Sequence, residues 1–221
     1  MATIIITGAN RGLGLEMAKQ YAADGWNVIG TAREPEKADA LNAIDAVTVL
    51  PLDAAEDASI ETFAKDLGDQ PVDLLINNAG IYGPSEFDRK DWLDLFSINV
   101  IGPVRLATAL KDNVARSADG KMVVISSQVG SIAENDSGSM IYYRTSKAAV
   151  NQAWTCLAKQ WQDDGLTLAM LHPGWVQTDM GGEDADLTPQ ESVEGMRGVI
   201  GGLTHDQNGK FYDYSGREIP W

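Results

Sequence analysis

Tyr143 and Lys147 are the first pair whose types and spacing suggest chemistry. They lie four apart in the run Tyr143-Arg144-Thr145-Ser146-Lys147, so on a helix they share one face. Tyr142 sits about 100° around such a helix, off that face. An ammonium beside a phenol favours the phenolate and lowers a pKa that is otherwise about 10. A tyrosine tuned in this way can exchange a proton near neutral pH. Alone the pattern is weak, because many helices carry it. Three companions strengthen it: Ser126-Ser127 after one apolar run, Asn77-Asn78-Ala79-Gly80 after another, and Asn99 within a helical pattern. A serine hydroxyl at a strand end can hold a substrate oxygen. Each companion also has a structural explanation. The serines could cap a turn, the paired asparagines could satisfy backbone groups, and Asn99 could be a buried amide at a helix kink. Taken jointly and in this order, they read as a proton-transfer site.

A second chemical signal opens the chain. Thr7-Gly8-Ala9-Asn10-Arg11-Gly12-Leu13-Gly14 follows a strand-like run and leads into a helical pattern. Glycines allow a tight turn and bring backbone N–H groups to a pyrophosphate at a positive helix N-terminus. The spacing Gly-x-x-x-Gly-x-Gly departs from the general Gly-x-Gly-x-x-Gly fingerprint, but the strand before and helix after are the context a dinucleotide needs. The second strand then distinguishes two cofactors. NAD(H) sites place an acidic residue there, and NADP(H) sites a basic one for the 2′-phosphate. The acidic position falls on Ala32, followed by Arg33 and Glu34. Arg33 and Arg11 could fork onto one phosphate, which favours NADP(H). A one-residue shift would instead place Glu34 as an NAD(H)-type acid. The structural alternative pairs the two arginines with Glu34 or Glu36.

Elements must position these groups. Strand candidates are Thr3–Thr7, Asn27–Ala32, Val47–Leu52, Asp73–Asn77, Lys121–Ser126 and Thr167–His172. Most are Val-, Ile- and Leu-rich without polar alternation, as parallel strands buried on both faces are. Helical patterns cover Leu13–Ala23, Ile60–Leu67, Arg89–Leu110 with an interruption at Gly102-Pro103, Ile141–Trp161, and Pro189–Leu203 with Thr188 as N-cap. Phe211–Tyr214 is a candidate edge strand. Alternating β and α elements imply an α/β fold, a Rossmann-type doubly wound parallel sheet flanked by helices, formed by one domain over residues 1–221.

Composition narrows the partners. The 221 residues carry a formal charge of −15 and a pI near 4.4. So negative a surface argues against nucleic acid and against an anionic membrane. Cys156 is the single cysteine, so no intrachain disulfide forms, and its helical pattern suggests a buried thiol. His172 and His205 lie in no ligand-spaced cluster, so no metal is expected. A strand-length apolar start without a basic flank suggests a cytoplasmic protein.

These residues together resemble the short-chain dehydrogenase/reductase superfamily over nearly the whole chain. The matching pieces are Thr7-Gly8 with Gly12-Leu13-Gly14, Leu52-Asp53, Asn77-Asn78-Ala79-Gly80, Asn99, Ile125-Ser126-Ser127, Tyr143 with Lys147, and Pro173-Gly174-Trp175-Val176-Gln177-Thr178. The short chain, Tyr142-Tyr143-Arg144, the run Gly174–Gly182 and the ending Ile219-Pro220-Trp221 resemble its C-factor-like, carbonyl-reductase-like branch. The resemblance implies roles. Tyr143 is the general acid in reduction, and Lys147 lowers its pKa and holds the nicotinamide ribose. Ser127, rather than Ser126, binds the carbonyl oxygen, and Asn99 anchors a water in a proton relay. The cofactor is held by Gly8, Asn10, Arg11, Gly12, Leu13, Gly14 and Arg33 at its phosphates. Asp53 and Ala54 meet the adenine, and Asn78, Ala79 and Gly80 lie near the ribose. Pro173, Gly174, Val176 and Thr178 meet the carboxamide end. The implied reaction is NADPH-dependent interconversion of a small ketone or aldehyde and its alcohol by hydride transfer, in a homodimer or homotetramer.

One departure stands out. The connection from Ser127 to Tyr143 is longer than the family's commonest, and it would border the substrate. The segment Asp179–Leu187 is short and acidic where the family carries a lid, which implies an open pocket, with Ile81, Val129, Trp175 and Met180 as candidate liners. The competing readings are a non-catalytic NADP(H)-binding sensor and a purely structural protein on the same fold.

Overall fold

The computed structural model describes residues 1–83 and 88–221. Seven strands form one parallel sheet in the order β3-β2-β1-β4-β5-β6-β7. They are β1 (Thr3–Ile6), β2 (Asn27–Ala32), β3 (Val47–Pro51), β4 (Leu74–Asn77), β5 (Lys121–Ile125), β6 (Thr167–His172) and β7 (Lys210–Asp213). The helices are α1 (Gly12–Ala23), α2 (Asp39–Asn42), α3 (Asp57–Leu67), α4 (Arg89–Phe96), α5 (Gly102–Ala109), α6 (Lys111–Ala115), α7 (Ile141–Gln160) and α8 (Pro189–Gly202). The short helices α2 and α6 carry too few residues to show a helical period, and the sequence pattern missed them.

The apolar strands are covered on both faces. One core layer joins Ile60, Phe63, Leu106, Val150 and Trp154 of α3, α5 and α7 to Ile5, Leu75 and Met122 of the sheet. The other joins Met17, Leu41, Val193 and Met196 of α1, α2 and α8 to Ile4, Ile6 and Ile76. Because every strand runs the same way, their C-terminal ends share one edge. Thr7, Arg33, Asp53, Asn78, Ser126 and Pro173 follow strand ends along that edge. The order reverses at β1, which pairs β2 on one side and β4 on the other. Ligands of open α/β sheets bind at such a switch.

Two sequence expectations change. The helical run from Arg89 continues through Gly102-Pro103, and its irregularity is a π turn one step earlier, Ser97–Ile101. Gly102 is needed for a close approach: a Cβ there would collide with the Ala54 carbonyl. Cys156 is exposed, because α7 buries Val150, Asn151, Trp154, Leu157 and Ala158 and turns Cys156 away. Thr188 does cap α8, in a reciprocal capping box with Glu191. Among the described residues, no helix is long and apolar enough to cross a membrane.

Candidate active site at the switch of the sheet

A cleft of about 720 Å³ opens at the switch point. The glycine turn forms one end. Helix α1 has no side-chain cap at its N-terminus, so its first N–H groups are free for an anion. Gly14 lets the turn fold back on itself: a Cβ there would collide with the Gly8 carbonyl and sit 2.6 Å from Asn78 Nδ2. Thr7 and Asn78 brace the turn. Thr7 Oγ1 accepts from the backbone N–H groups of Asn78 and Ala79 at 3.0 and 2.9 Å. Asn78 Nδ2 donates to the Thr7 and Gly8 carbonyls at 2.9 and 3.2 Å. Asn78 therefore lines the cleft with its amide N–H already committed to the turn.

Basic groups gather beyond the turn. Arg11, Arg33 and Lys37 all line the cleft. Arg11 pairs with Asp179 at 2.9 Å, and Lys37 pairs with Glu34. Arg33 makes no ion pair with any described residue. Lys37 was missed in the sequence, though a third cation after Arg33 in so acidic a chain was a usable signal. Glu34, the acid that could have argued for NAD(H), is held by Lys37. The cradle of free N–H groups and Arg33, which has no ion pair among the described residues, fit a phosphorylated dinucleotide.

The other end of the cleft holds Tyr143 and Lys147, both on α7. Lys147 is buried, its Nζ donating to the Ile125 carbonyl at 2.9 Å and lying 5.5 Å from the Tyr143 ring centroid. Burial pushes its ammonium down to about 8. Burial first, then the neighbouring Tyr82, push the Tyr143 phenol up to about 12, while a hydrogen bond with Ser127 works the other way. The sequence predicts a lowered phenol; the net shift here is upward because burial outweighs the influences that lower it. In this structure the lysine is itself desolvated, and the phenol is a protonated donor at neutral pH.

The two serines differ in their partners. Ser126 borders the cleft, but its Oγ donates to Asn151 Oδ1 at 2.6 Å, whereas the Ser127 hydroxyl accepts from Val129 N–H at 3.4 Å and acts on the Tyr143 phenol. Asn99 lies behind Lys147 in the π turn, a feature often found at functional sites. It donates to the Ile81 carbonyl at 2.8 Å and Ser146 Oγ at 3.2 Å, and accepts from Ile81 N–H at 2.9 Å. Its side chain thus fixes the 80–81 wall of the cleft.

Of the other sequence-selected residues, Gly8, Asn10, Arg11, Gly12, Leu13, Arg33, Asp53, Ala54, Ala79, Gly80, Pro173 and Thr178 line the cleft. Gly14, Gly174 and Val176 stand behind its wall. Val176 is buried and bridges Leu187. Of the four pocket liners, Ile81 and Met180 are in place, while Val129 and Trp175 are not. Trp175 turns aside to donate Nε1 to the Gly181 carbonyl at 2.8 Å. Tyr82 takes the vacated role, its ring 5.1 Å from that of Tyr143. Met180 Sδ lies 3.9 Å from the Tyr143 hydroxyl.

The family model for short chain dehydrogenases matches residues 2–187. The chain belongs to this family. Among short-chain dehydrogenase relatives, C-signal of Myxococcus xanthus is 41% identical over 73% of this chain and 100% of its own length. The 1-hydroxy-2-glutathionyl-2-methyl-3-butene dehydrogenase of Rhodococcus sp. (strain AD45) is 31% identical over the full length of both chains. A solved structure of NADPH-bound carbonyl reductase from chicken fatty liver is 31% identical, with a TM-score of 0.94 over 100% of this chain and 99% of that one. The carbonyl reductase Sniffer of D. melanogaster is also 31% identical with a TM-score of 0.94, covering 100% of both chains.

Proposed function

We propose that this protein is an NADP(H)-dependent carbonyl reductase that interconverts a small ketone or aldehyde and its alcohol. The observation that carries this reading is Tyr143 with Lys147 on α7, lining the same cleft as the uncapped N-terminus of α1. The NADPH bound by the chicken relative supports the cofactor, as do Arg11, Arg33 and Lys37 at the phosphate end. When bound, a dihydronicotinamide supplies the hydride. The chain's own residues supply position, field and proton. Gly8 to Gly14 receive the pyrophosphate, Arg33 and Lys37 the 2′-phosphate, and Asp53 and Ala54 the adenine end. Ser127 and Tyr143 donate to the substrate oxygen as negative charge grows on it. Tyr143 then gives up its proton, with Lys147 stabilising the phenolate left behind. Asn99 holds the wall through which a water relays the replacement proton.

The test is NADPH absorbance with a panel of ketones, quinones and aldehydes, for wild type beside Tyr143→Phe. Wild type consumes NADPH, and Tyr143→Phe binds it without consuming it. Equal turnover by the two refutes Tyr143 as the proton donor. The likeness to a protein named C-signal favours a second reading, an NADP(H)-binding sensor. Binding without turnover by wild type selects it. The single cysteine suits a cytoplasmic setting, and mass in solution tests the expected homodimer or homotetramer.

A further inference from the structure

We propose that Glu134 is a positioning residue for this reaction: by bridging Gln128 to Arg217 it holds the turn that sets Ser127 against Tyr143. The proposal rests on the reading of the site given above. The connection between β5 and α7 is long, and Ser127 is its second residue. A loop free at that point would leave the serine hydroxyl loose. It is not free. Ser127 leads into the turn Gln128–Gly130, and Gln128 Nε2 donates to Glu134 Oε2 at 2.6 Å. The other carboxylate oxygen accepts from Arg217 Nη1 at 3.0 Å. Arg217 Nε donates in turn to Asp213 Oδ2 at 2.9 Å. Asp213 closes β7, and its Oδ1 accepts from Ser215 N–H, Ser215 Oγ and Arg217 N–H at 2.9, 2.6 and 3.0 Å.

The loop is thereby tied to the last strand of the sheet. A second tether runs from Ala133 N–H to the Trp221 carbonyl at 2.9 Å. The same turn lies against the lysine: a Cβ on Gly130 would come 2.9 Å from the backbone carbon and Cβ of Lys147. One short turn therefore touches both the serine and the lysine of the site, and Glu134 is its outer brace.

An isolated exposed ion pair does little. Glu134 differs because its side chain is only 24% exposed and each oxygen serves a different fixed donor. That arrangement needs a carboxylate. An amide offers a single acceptor oxygen and loses one of the two bonds.

The experiment is a double-mutant cycle in carbonyl reduction. Wild type and Tyr143→Phe are assayed first. A wild type inactive on every carbonyl overturns the reading of the site and, with it, this proposal. Given turnover, Glu134→Ala is expected to lower kcat about tenfold through misplacement of Ser127. NADPH affinity, followed by fluorescence, stays unchanged. Glu134→Gln falls between the two. In a Ser127→Ala background, Glu134→Ala costs nothing further. Losses that multiply in the double variant overturn the proposal, as does a lowered Tm with kcat unchanged. Should Glu134→Ala fail to fold, Glu134→Gln takes its place in the cycle with the same outcomes.

Discussion

At the scale of single residues, Lys147 combines burial at 5% exposure with a positive charge. Its ammonium falls from 10.5 to about 8 because the folded chain desolvates it. Below pH 8 the lysine is charged in both folded and unfolded chains, and the folded state bears the full penalty. The penalty is relieved as pH rises from 8 towards 10.5. Lys147→Met is therefore expected to raise unfolding stability at pH 7 by about 1–3 kcal/mol while abolishing turnover. Thermal melts of the two proteins check it, and an unchanged or lower Tm refutes it. In wild type, kcat/KM for reduction is expected to fall as pH rises through about 8, the value to which burial lowers the Lys147 ammonium. Arg33 makes the second residue-scale prediction. It faces the phosphate end of the cleft with no ion pair among the described residues. Arg33→Ala raises the KM for NADPH about tenfold, the loss expected for one charge-assisted hydrogen bond, and leaves the KM for NADH nearly unchanged. Equal effects on both cofactors would remove Arg33 from the 2′-phosphate site.

At the scale of elements, the glycine turn and α1 are set by local sequence, whereas the π turn is not. Nothing in the run Ser97–Ile101 breaks a helical period, and the sequence places the irregularity at Gly102-Pro103. The structure places it where Asn99 must bond both backbone groups of Ile81. Gly102 instead lets α5 touch the loop that carries Asp53 and Ala54. Gly102→Ala pushes that loop outward. It is expected to cost about 1–3 kcal/mol of stability by overpacking, and also to weaken NADPH binding. Thr188→Ala is the control on the same footing. Loss of its capping box costs about 1 kcal/mol, and NADPH binding stays as in wild type. Urea melts and fluorescence titration separate the two, and equal cofactor affinity in both variants sinks the Gly102 argument.

At the scale of the molecule, two apolar layers clamp the sheet, and α7 contributes to both structure and site. Trp154 is fully buried in one layer, while Tyr143 and Lys147 stand earlier on the same helix. Trp154→Ala opens a cavity under α7 and is expected to cost about 3–5 kcal/mol. Denaturant unfolding measures it; a cost under about 1 kcal/mol would mean that α7 is held by other contacts. The net charge of −15 repels anionic ligands from the surface at large. Under the proposed function, capture of a phosphorylated ligand would fall to the local cluster of Arg11, Arg33 and Lys37 that lines the cleft.

Local order was legible in the residues themselves. Strand runs without alternation, the N-cap at Thr188, the glycine turn, and Tyr143 with Lys147 on one helical face all follow from side-chain periodicity and backbone preference, which act over a few residues. The parallel edge then gathered Thr7, Asn78, Ser126 and Pro173, as that alternation of elements requires. The resemblance already preferred Ser127 to Ser126, and the tertiary structure supplied a physical difference, because Asn151 binds Ser126 from a distant turn of α7. Only the tertiary structure paired Arg11 with Asp179 and Lys37 with Glu34, exchanged Trp175 for Tyr82 beside Tyr143, and raised the phenol that the sequence expected to be lowered. Each of these depends on desolvation or on a contact between segments far apart in the chain, and neither is written in local spacing.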